Sequence, residues 1–229
     1  KINIEAFPET DSKLTLWEDY WNPQHYAWKL WIIYNEIQKG NSGIYMDSGI
    51  LLTRSIPDIE KIIEDDGVFL LEDQNPILKN KHFCHETFIK LMNCSKDELE
   101  SQQLQAGVIG WNINNQKIVN CLKIAYFYTK AKEIITGEKW VKDNENFYGH
   151  RHDQSILSII SFRNSLPRRN LSNYSVFEHQ YHEAISKSMP FFHHRGIIKI
   201  AIENDRPRFI VPDIAATIPE KSFAPSINE

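Results

Sequence analysis

Three short apolar runs decide which folds are open to this chain: "GIYM" at 43–46, "VFLLE" at 68–72 and "QAGVIGWNI" at 105–113. Each reads as a strand, and the segments around them carry helical spacing and helix-end signals. In "HYAWKLWIIYNEIQKG", Tyr26, Leu30, Ile33 and Ile37 recur at three- and four-residue intervals, and Gly40 suits a C-terminal cap. In "SIPDIEKIIEDDG", Ser55 can cap, Pro57 suits the first turn, Asp58 and Glu60 suit the positive end, and Gly67 follows the end. Ser95 and Glu98 form a capping box in "SKDELESQQ". Residues 115–136 make the longest helix expected, with Ile118, Cys121, Ala125, Tyr128, Ala131 and Ile135 on one face and Gly137 beyond it. "DQSILSIISF" reads as a short apolar helix with Asp153 at its N-terminus, "KINIEAF" as an early strand and "GIIKIAIEN" as a late one. Strands alternating with helices indicate an α/β fold around a mostly parallel sheet. No repeat is visible.

With 229 residues the chain fits one sizeable domain, and 41% hydrophobic and 12% aromatic residues can fill a large core. We expect that domain over 1–211 and a Pro- and Ser-rich tail over 212–229. A net charge of −4 argues against a nucleic-acid partner. No apolar run approaches the roughly 20 residues that span a bilayer, and no signal peptide is visible. The three cysteines, Cys84, Cys94 and Cys121, form no CxxC pair and read as buried or half-buried thiols in a reducing compartment. A cytoplasmic location, at most peripheral to a membrane, follows as the expectation. Lys1 in place of an initiating Met points to a start that is processed, trimmed or missing. Positive charge and imidazoles gather locally in "HRHD" (150–153), "PRR" (167–169) and "HHRG" (193–196), which suits a small anion better than a polyanion.

The run "GIYMDSGILL" (43–52) places Asp47 where an apolar strand should continue. In open α/β sheets, ligands bind beyond the carboxyl ends of strands. An acid there, followed by the small Ser48 and by Gly49, which permits close approach, is a candidate site. The alternative is an ordinary strand-end aspartate in an Asx turn.

Four segments in order, "IYMDSG", "LQAGVIGWN", "HRHDQSILS" and "HHRGIIK", with the helix carrying Trp28-Lys29, resemble glycosyltransferases of the GT-A fold. The likeness spans about residues 20–200. It is to bacterial polysaccharide-biosynthesis transferases with Y-x-D-S-G and H-R-H-D-Q-S motifs and, more distantly, to glycogenin-like retaining transferases. The resemblance implies a GT-A-like (Rossmann-type) mixed, mostly parallel sheet flanked by helices. It also implies transfer of a sugar from a nucleotide-sugar donor to a glycan or polysaccharide acceptor.

The site residues implied are as follows. Asp47 and His193 would hold Mn²⁺ or Mg²⁺. Asp47, Gly49, Lys199, Arg195 and Arg151 would meet the donor diphosphate. Tyr45, Lys29, Gly107 and Gln105 would line the substrate site, and Asp153, Gln154 and His152 would carry the chemistry. A leaving diphosphate needs its charge stabilised by a metal, a Lys or Arg, or a helix N-terminus. Hard divalent cations favour oxygen ligands, with imidazole acceptable to Mn²⁺. Lys199 and Arg195 supply a point charge and a fork; the alternatives are a snorkelling Lys and, for Arg151, His150 and His152, plain surface placement. Asp153 can cap its helix, orient sugar hydroxyls, or do both. Gln154, an amide that does not react, in the position matching that of retaining members, implies retention at the anomeric carbon. Trp21, Trp28, Trp31, Trp111 and Trp140 are available to stack on sugar faces, with Trp111 expected in the core.

The sequence departs from the family pattern in four places. Gly49 stands where a second acid is usual, Gln105 where Asn is usual, and no Pro-Trp follows Lys199. Only one strand and one helix precede "IYMDSG", as if the first strand–helix unit were lacking. Two rival readings follow: a non-catalytic carbohydrate- or partner-binding module on a transferase fold, and a His-rich metallohydrolase built on "HRHD", "EHQYH" and "HH".

Overall fold

A computed structural model describes residues 16–136, 147–177, 189–193, 199–203 and 206–210. Helix α1 (Ala27–Gln38) leads into β1 (Gly43–Met46) and, after a turn, β2 (Ile50–Leu52). Helix α2 (Pro57–Asp66) leads into β3 (Val68–Glu72), and two short helices, α3 (Glu86–Leu91) and α4 (Lys96–Glu100), precede β4 (Leu104–Trp111). Helices α5 (Gln116–Thr129), α6 (Lys132–Ile135) and α7 (His152–Arg163) follow, then β5 (Arg169–Asn170), β6 (Ser175–Phe177) and β7 (Phe191–His193). The chain divides into two compact units, Lys1–His193 and His194–Glu229. In the second, β8 (Lys199–Glu203) pairs antiparallel with β9 (Arg206–Ile210). The strand expected at "KINIEAF" and the tail from 212 lie outside the described residues.

The main sheet runs β1-β4-β3-β5. Strand β4 is antiparallel to both β1 and β3, while β3 and β5 are parallel. The α/β class and the mixed, helix-flanked sheet are therefore present, but the pairing is not mostly parallel. Three strands share a direction and β4 runs against them between two of them, because the chain leaves β3 and returns into β4 at the same end of the sheet. A smaller sheet, β2-β7-β6, lies beside it, with β7 antiparallel to β2 and parallel to β6.

Strand β3 shows why its sequence is apolar almost throughout. Val68 and Leu70 pack into a cluster with Leu30, Ile33, Ile118, Leu122, Ile156 and Ile159 from α1, α5 and α7. Phe69 and Leu71 face the other way, into a cluster with Ile59, Ile63, Val108, Leu171 and Phe191. A strand covered on both faces loses polar alternation. Strand β4 changes face partway. Leu70 pairs with Ile109 but Leu71 pairs with Gln105, so Ala106, Gly107 and Val108 have no partner on β3. This bulge bends the strand at the level where β1 ends, since Met46 pairs with Val108.

The helix ends follow local chemistry with three corrections. Gly67 takes the left-handed conformation (φ 81°) after α2, and the Ser95–Glu98 capping box is present at α4. Ser55 does not cap α2; Ile56 holds that position without a side-chain bond. Tyr26 is not on the buried face of α1. It precedes the helix in the left-handed region (φ 56°) and is 41% exposed, while Ala27, Leu30, Ile33 and Ile37 make the core face. The helix expected over 115–136 is two helices. Thr129 is buried and its hydroxyl is held by the Tyr126 carbonyl (2.6 Å) and the Tyr20 hydroxyl (2.8 Å), and Ala131 is extended. Tyr126 is buried in the core beside Cys121 and Ala125, with Tyr128 partly buried against the same cluster.

Candidate functional site

The site forms where α1, the end of β1, the β4 bulge and the start of α7 meet. Lys29 leaves the first turn of α1 beside the core face and is only 5% exposed. Its ammonium lies 2.9 and 3.0 Å from the two carboxylate oxygens of Asp47 and 3.5 Å from Oδ2 of Asp153. The Tyr45 hydroxyl donates to Asp47 Oδ1 at 2.8 Å. The Asp47 backbone N–H donates to the Gly107 carbonyl at 2.8 Å, and Ile50 N–H closes the turn onto the Asp47 carbonyl at 2.9 Å. Asp47 is thus the last residue tied to the main sheet, and the carboxylate at the strand end keeps about a third of its surface in solvent (34%).

Space is tight at Gly107 in the bulge. A β-carbon there would lie 2.8 Å from Gln105 Oε1, 2.9 Å from Ile50 Cδ1 and 3.5 Å from Asp47 Oδ2. Gln105 folds back to accept the Gly107 N–H, so it supports the bulge by that bond. Gly49 lies exposed in the turn after Asp47.

Asp153 does not cap α7, as the sequence reading allowed. Arg151 holds the cap position without a side-chain cap bond, and Asp153 lies in the first turn, 3% exposed, facing Lys29. Gln154 next to it donates to Gln103 Oε1 at 3.0 Å. His152 sits in the left-handed region (φ 48°) and its Nδ1 donates to the Ile135 carbonyl at 2.6 Å, leaving the lone pair on Nε2. The Tyr26 ring lies 5.7 Å from the His152 ring and 5.0 Å from the Lys29 ammonium. Two non-glycine residues in a sparsely populated conformation, with their rings 5.7 Å apart, mark a place where tertiary structure holds the backbone against its preference.

His150 and His152 are not surface residues. His150 is half-buried, with both ring nitrogens on carbonyls, those of Phe83 (3.2 Å) and Ile134 (3.0 Å), and its ring 4.3 Å from that of His85. Arg151 is exposed and stacks its guanidinium over the Phe83 ring at 3.8 Å. His193 pairs with Ile50, three residues past Asp47, and its half-buried ring lies 4.8 Å from Phe177. Arg195 and the side chain of Lys199 lie outside the described residues. So do His179, His182 and Trp140.

Burial opposes charge at this site. It works to lower the Lys29 pKa and is outweighed by Asp153 and Asp47, so the ammonium is held charged. Burial pushes the Asp153 carboxyl up to about 6, with Lys29 pulling it down and Asp47 pushing it up. Burial, then Asp47, raises the Tyr45 hydroxyl, which stays a donor. Burial lowers His152 against the pull of the Ile135 carbonyl, with His25 and Lys29 adding to the lowering, so its neutral form is favoured.

A divalent cation does not fit the cleft as it stands. Both Asp47 oxygens are taken up by the Lys29 ammonium and one of them also by the Tyr45 hydroxyl, so an ion there would sit against a fixed positive charge.

Sequence reading overlooked the second layer. Ser155, Ser158 and Ser161 are buried on one face of α7 and bond the Phe83 carbonyl (2.8 Å), the Leu104 N–H (2.8 Å) and Arg168 (2.9 Å). The three-residue repeat of serine in "SILSIIS" was the available signal. Gln103 and Tyr26 carried none.

Trp111 is in the core (3% exposed), and Trp21 and Trp31 meet edge to face at 4.7 Å. Cys84, Cys94 and Cys121 are free thiols, buried, half-buried and buried in turn. No helix among the described residues is long and apolar enough to cross a membrane. No protein-family model, curated protein or solved structure matches this chain.

Proposed function

We propose that this chain is a nucleotide-sugar-dependent glycosyltransferase that delivers a sugar to a glycan or polysaccharide acceptor, with its reaction cleft over Lys29, Asp47 and Asp153. One observation carries the reading. Segments far apart in sequence, each singled out by the glycosyltransferase resemblance, converge on a single buried ammonium: Trp28-Lys29, Tyr45 to Asp47, and Asp153, with Gly107 bonded to the Asp47 backbone. Structural packing alone seldom gathers two acids and a lysine in a strand-end cleft, because each buried charge costs free energy.

In this reading Lys29 fixes the Asp47 carboxylate, Tyr45 donates to it, and its exposed edge accepts sugar hydroxyl protons. The Tyr26 ring offers an apolar face for the sugar C–H groups. Transfer proceeds with retention. Inversion needs a base open to the acceptor hydroxyl, and Asp153 is enclosed against Lys29 with the Gln154 amide beside it.

Calorimetry with a panel of nucleotide sugars tests the reading. One donor should bind in the micromolar range and weaken roughly tenfold or more in Asp47→Asn, a loss of about 1.4 kcal/mol. NMR of the product from an α-linked donor should show an α-linkage; a β-linkage would recast Asp153 or His152 as a general base. Binding of a glycan with no donor bound would favour a non-catalytic carbohydrate module. The full pairing of Asp47 by Lys29 and Tyr45 is the observation on that side.

A further inference from the structure

We infer that the Lys29 ammonium takes the place of a divalent metal in this cleft, so that the site binds its ligand without one. The inference rests on the reading of the cleft as a sugar-transfer site. It concerns which cation serves the two acids.

Lys29 meets both oxygens of Asp47 and stands 3.5 Å from Asp153 Oδ2. One cation therefore bridges two carboxylates from different elements, which is the bridging task a metal performs at a pair of acids. Lys29 as a whole is only 5% exposed, so its charge is held inside the cluster and not in bulk solvent. Asp153 supplies an independent sign that the cluster is built around a cation. It is 97% withdrawn from solvent, and its Oδ2 accepts no hydrogen bond while facing the ammonium. A buried carboxylate oxygen left without a hydrogen bond is costly. Its retention makes sense where a positive charge must be shared between two acids. The Tyr26 and Tyr45 rings, 5.0 and 5.9 Å from the ammonium, complete a cage with faces suited to a cation.

The test uses the full chain and MnCl₂ alone, followed by electron paramagnetic resonance and calorimetry. Wild type should show no Mn²⁺ binding below about 1 mM that depends on Asp47. Lys29→Ala and Lys29→Gln, with their fold checked by circular dichroism, should gain a site at least about tenfold tighter than that limit, lost again when Asp47→Asn is added. Tight Mn²⁺ binding by wild type that Asp47→Asn removes would overturn the inference. So would folded Lys29 variants that bind no Mn²⁺, because the acids would then form no cation site. If neither Lys29 variant folds, the wild-type titration against Asp47→Asn decides. None of these results depends on a sugar donor, so a failure here and a failure of the transferase reading are told apart.

Discussion

Gly107 and His150 show how single residues hold this site. At Gly107 a methyl group would press on Gln105 Oε1 and Ile50 Cδ1 and approach Asp47. Two of those neighbours are flexible side-chain ends, so Gly107→Ala should cost a modest 1–2 kcal/mol, roughly, of overpacking. It should also disturb the turn at Asp47, because Gln105 and Ile50 beside it must give way. Urea denaturation gives the first, and loss of donor binding in a folded variant gives the second.

His150 is a pH matter. Burial, with His85 and His152 beside it, pushes its pKa well below the usual imidazole range, against the pull of the Ile134 and Phe83 carbonyls. In the unfolded chain it titrates near about 6.5. As pH falls through that value the unfolded state takes the proton first, so the stability supplied by neutral His150 is complete above it and drains away below it. Asp153 works in the opposite sense. Its folded pKa is raised to about 6, so between about 3.9 and that value the folded state holds the extra proton and gains stability as pH falls. His150→Asn removes the first effect and keeps the second. Between about pH 7 and 5.5 the variant should lose less stability than wild type, by up to about 1.4 kcal/mol per pH unit. Equal pH slopes in urea denaturation would contradict this.

At the scale of elements, α7 is the piece that joins fold to site. It is buried nearly all round from Ser155 to Ser161, its three serines included. Ser158 is the instructive one: its hydroxyl donates to the Gln154 carbonyl (2.6 Å) and accepts the Leu104 N–H (2.8 Å), satisfying the first backbone donor of β4. Ser158→Ala strands that buried N–H and should cost about 1–3 kcal/mol. Ser95→Ala, which removes the cap of α4, should cost about 1 kcal/mol and leave the cleft untouched. The comparison separates a bond that ties helix to sheet from one local to a helix end. Equal donor affinity in both variants would show that α7 does not set the cleft.

For the first unit as a whole, the sheet separates two apolar clusters. Ile33 belongs to the one under α1, α5 and α7, and Ile63 to the one under α2. Each Ile→Val change should cost about 0.5–1.5 kcal/mol. Sharing no cluster, they should add to within about 0.5 kcal/mol in the double variant. A larger coupling would mean that strain passes through the sheet.

Much of this architecture is local and therefore legible in the sequence. Gly67, the Ser95–Glu98 box and the two-sided apolar run "VFLLE" act within a few residues of themselves, and their elements stand where the pattern puts them. Asp47 was legible as an acid that ends a strand, and Asp153 as an acid at a helix start. What the sequence by itself cannot fix is which of these groups meet. The direction of β4, the bulge at Gly107, the break after Thr129 and the left-handed turn at Tyr26 all depend on partners far away in the chain, such as Tyr20 for Thr129 and Leu70 for Ile109. The tertiary structure alone brought Lys29 between Asp47 and Asp153. A buried charge has no periodicity to betray it; it is tolerated only where opposite charges from other elements arrive, and their arrival is decided by how helix and sheet pack.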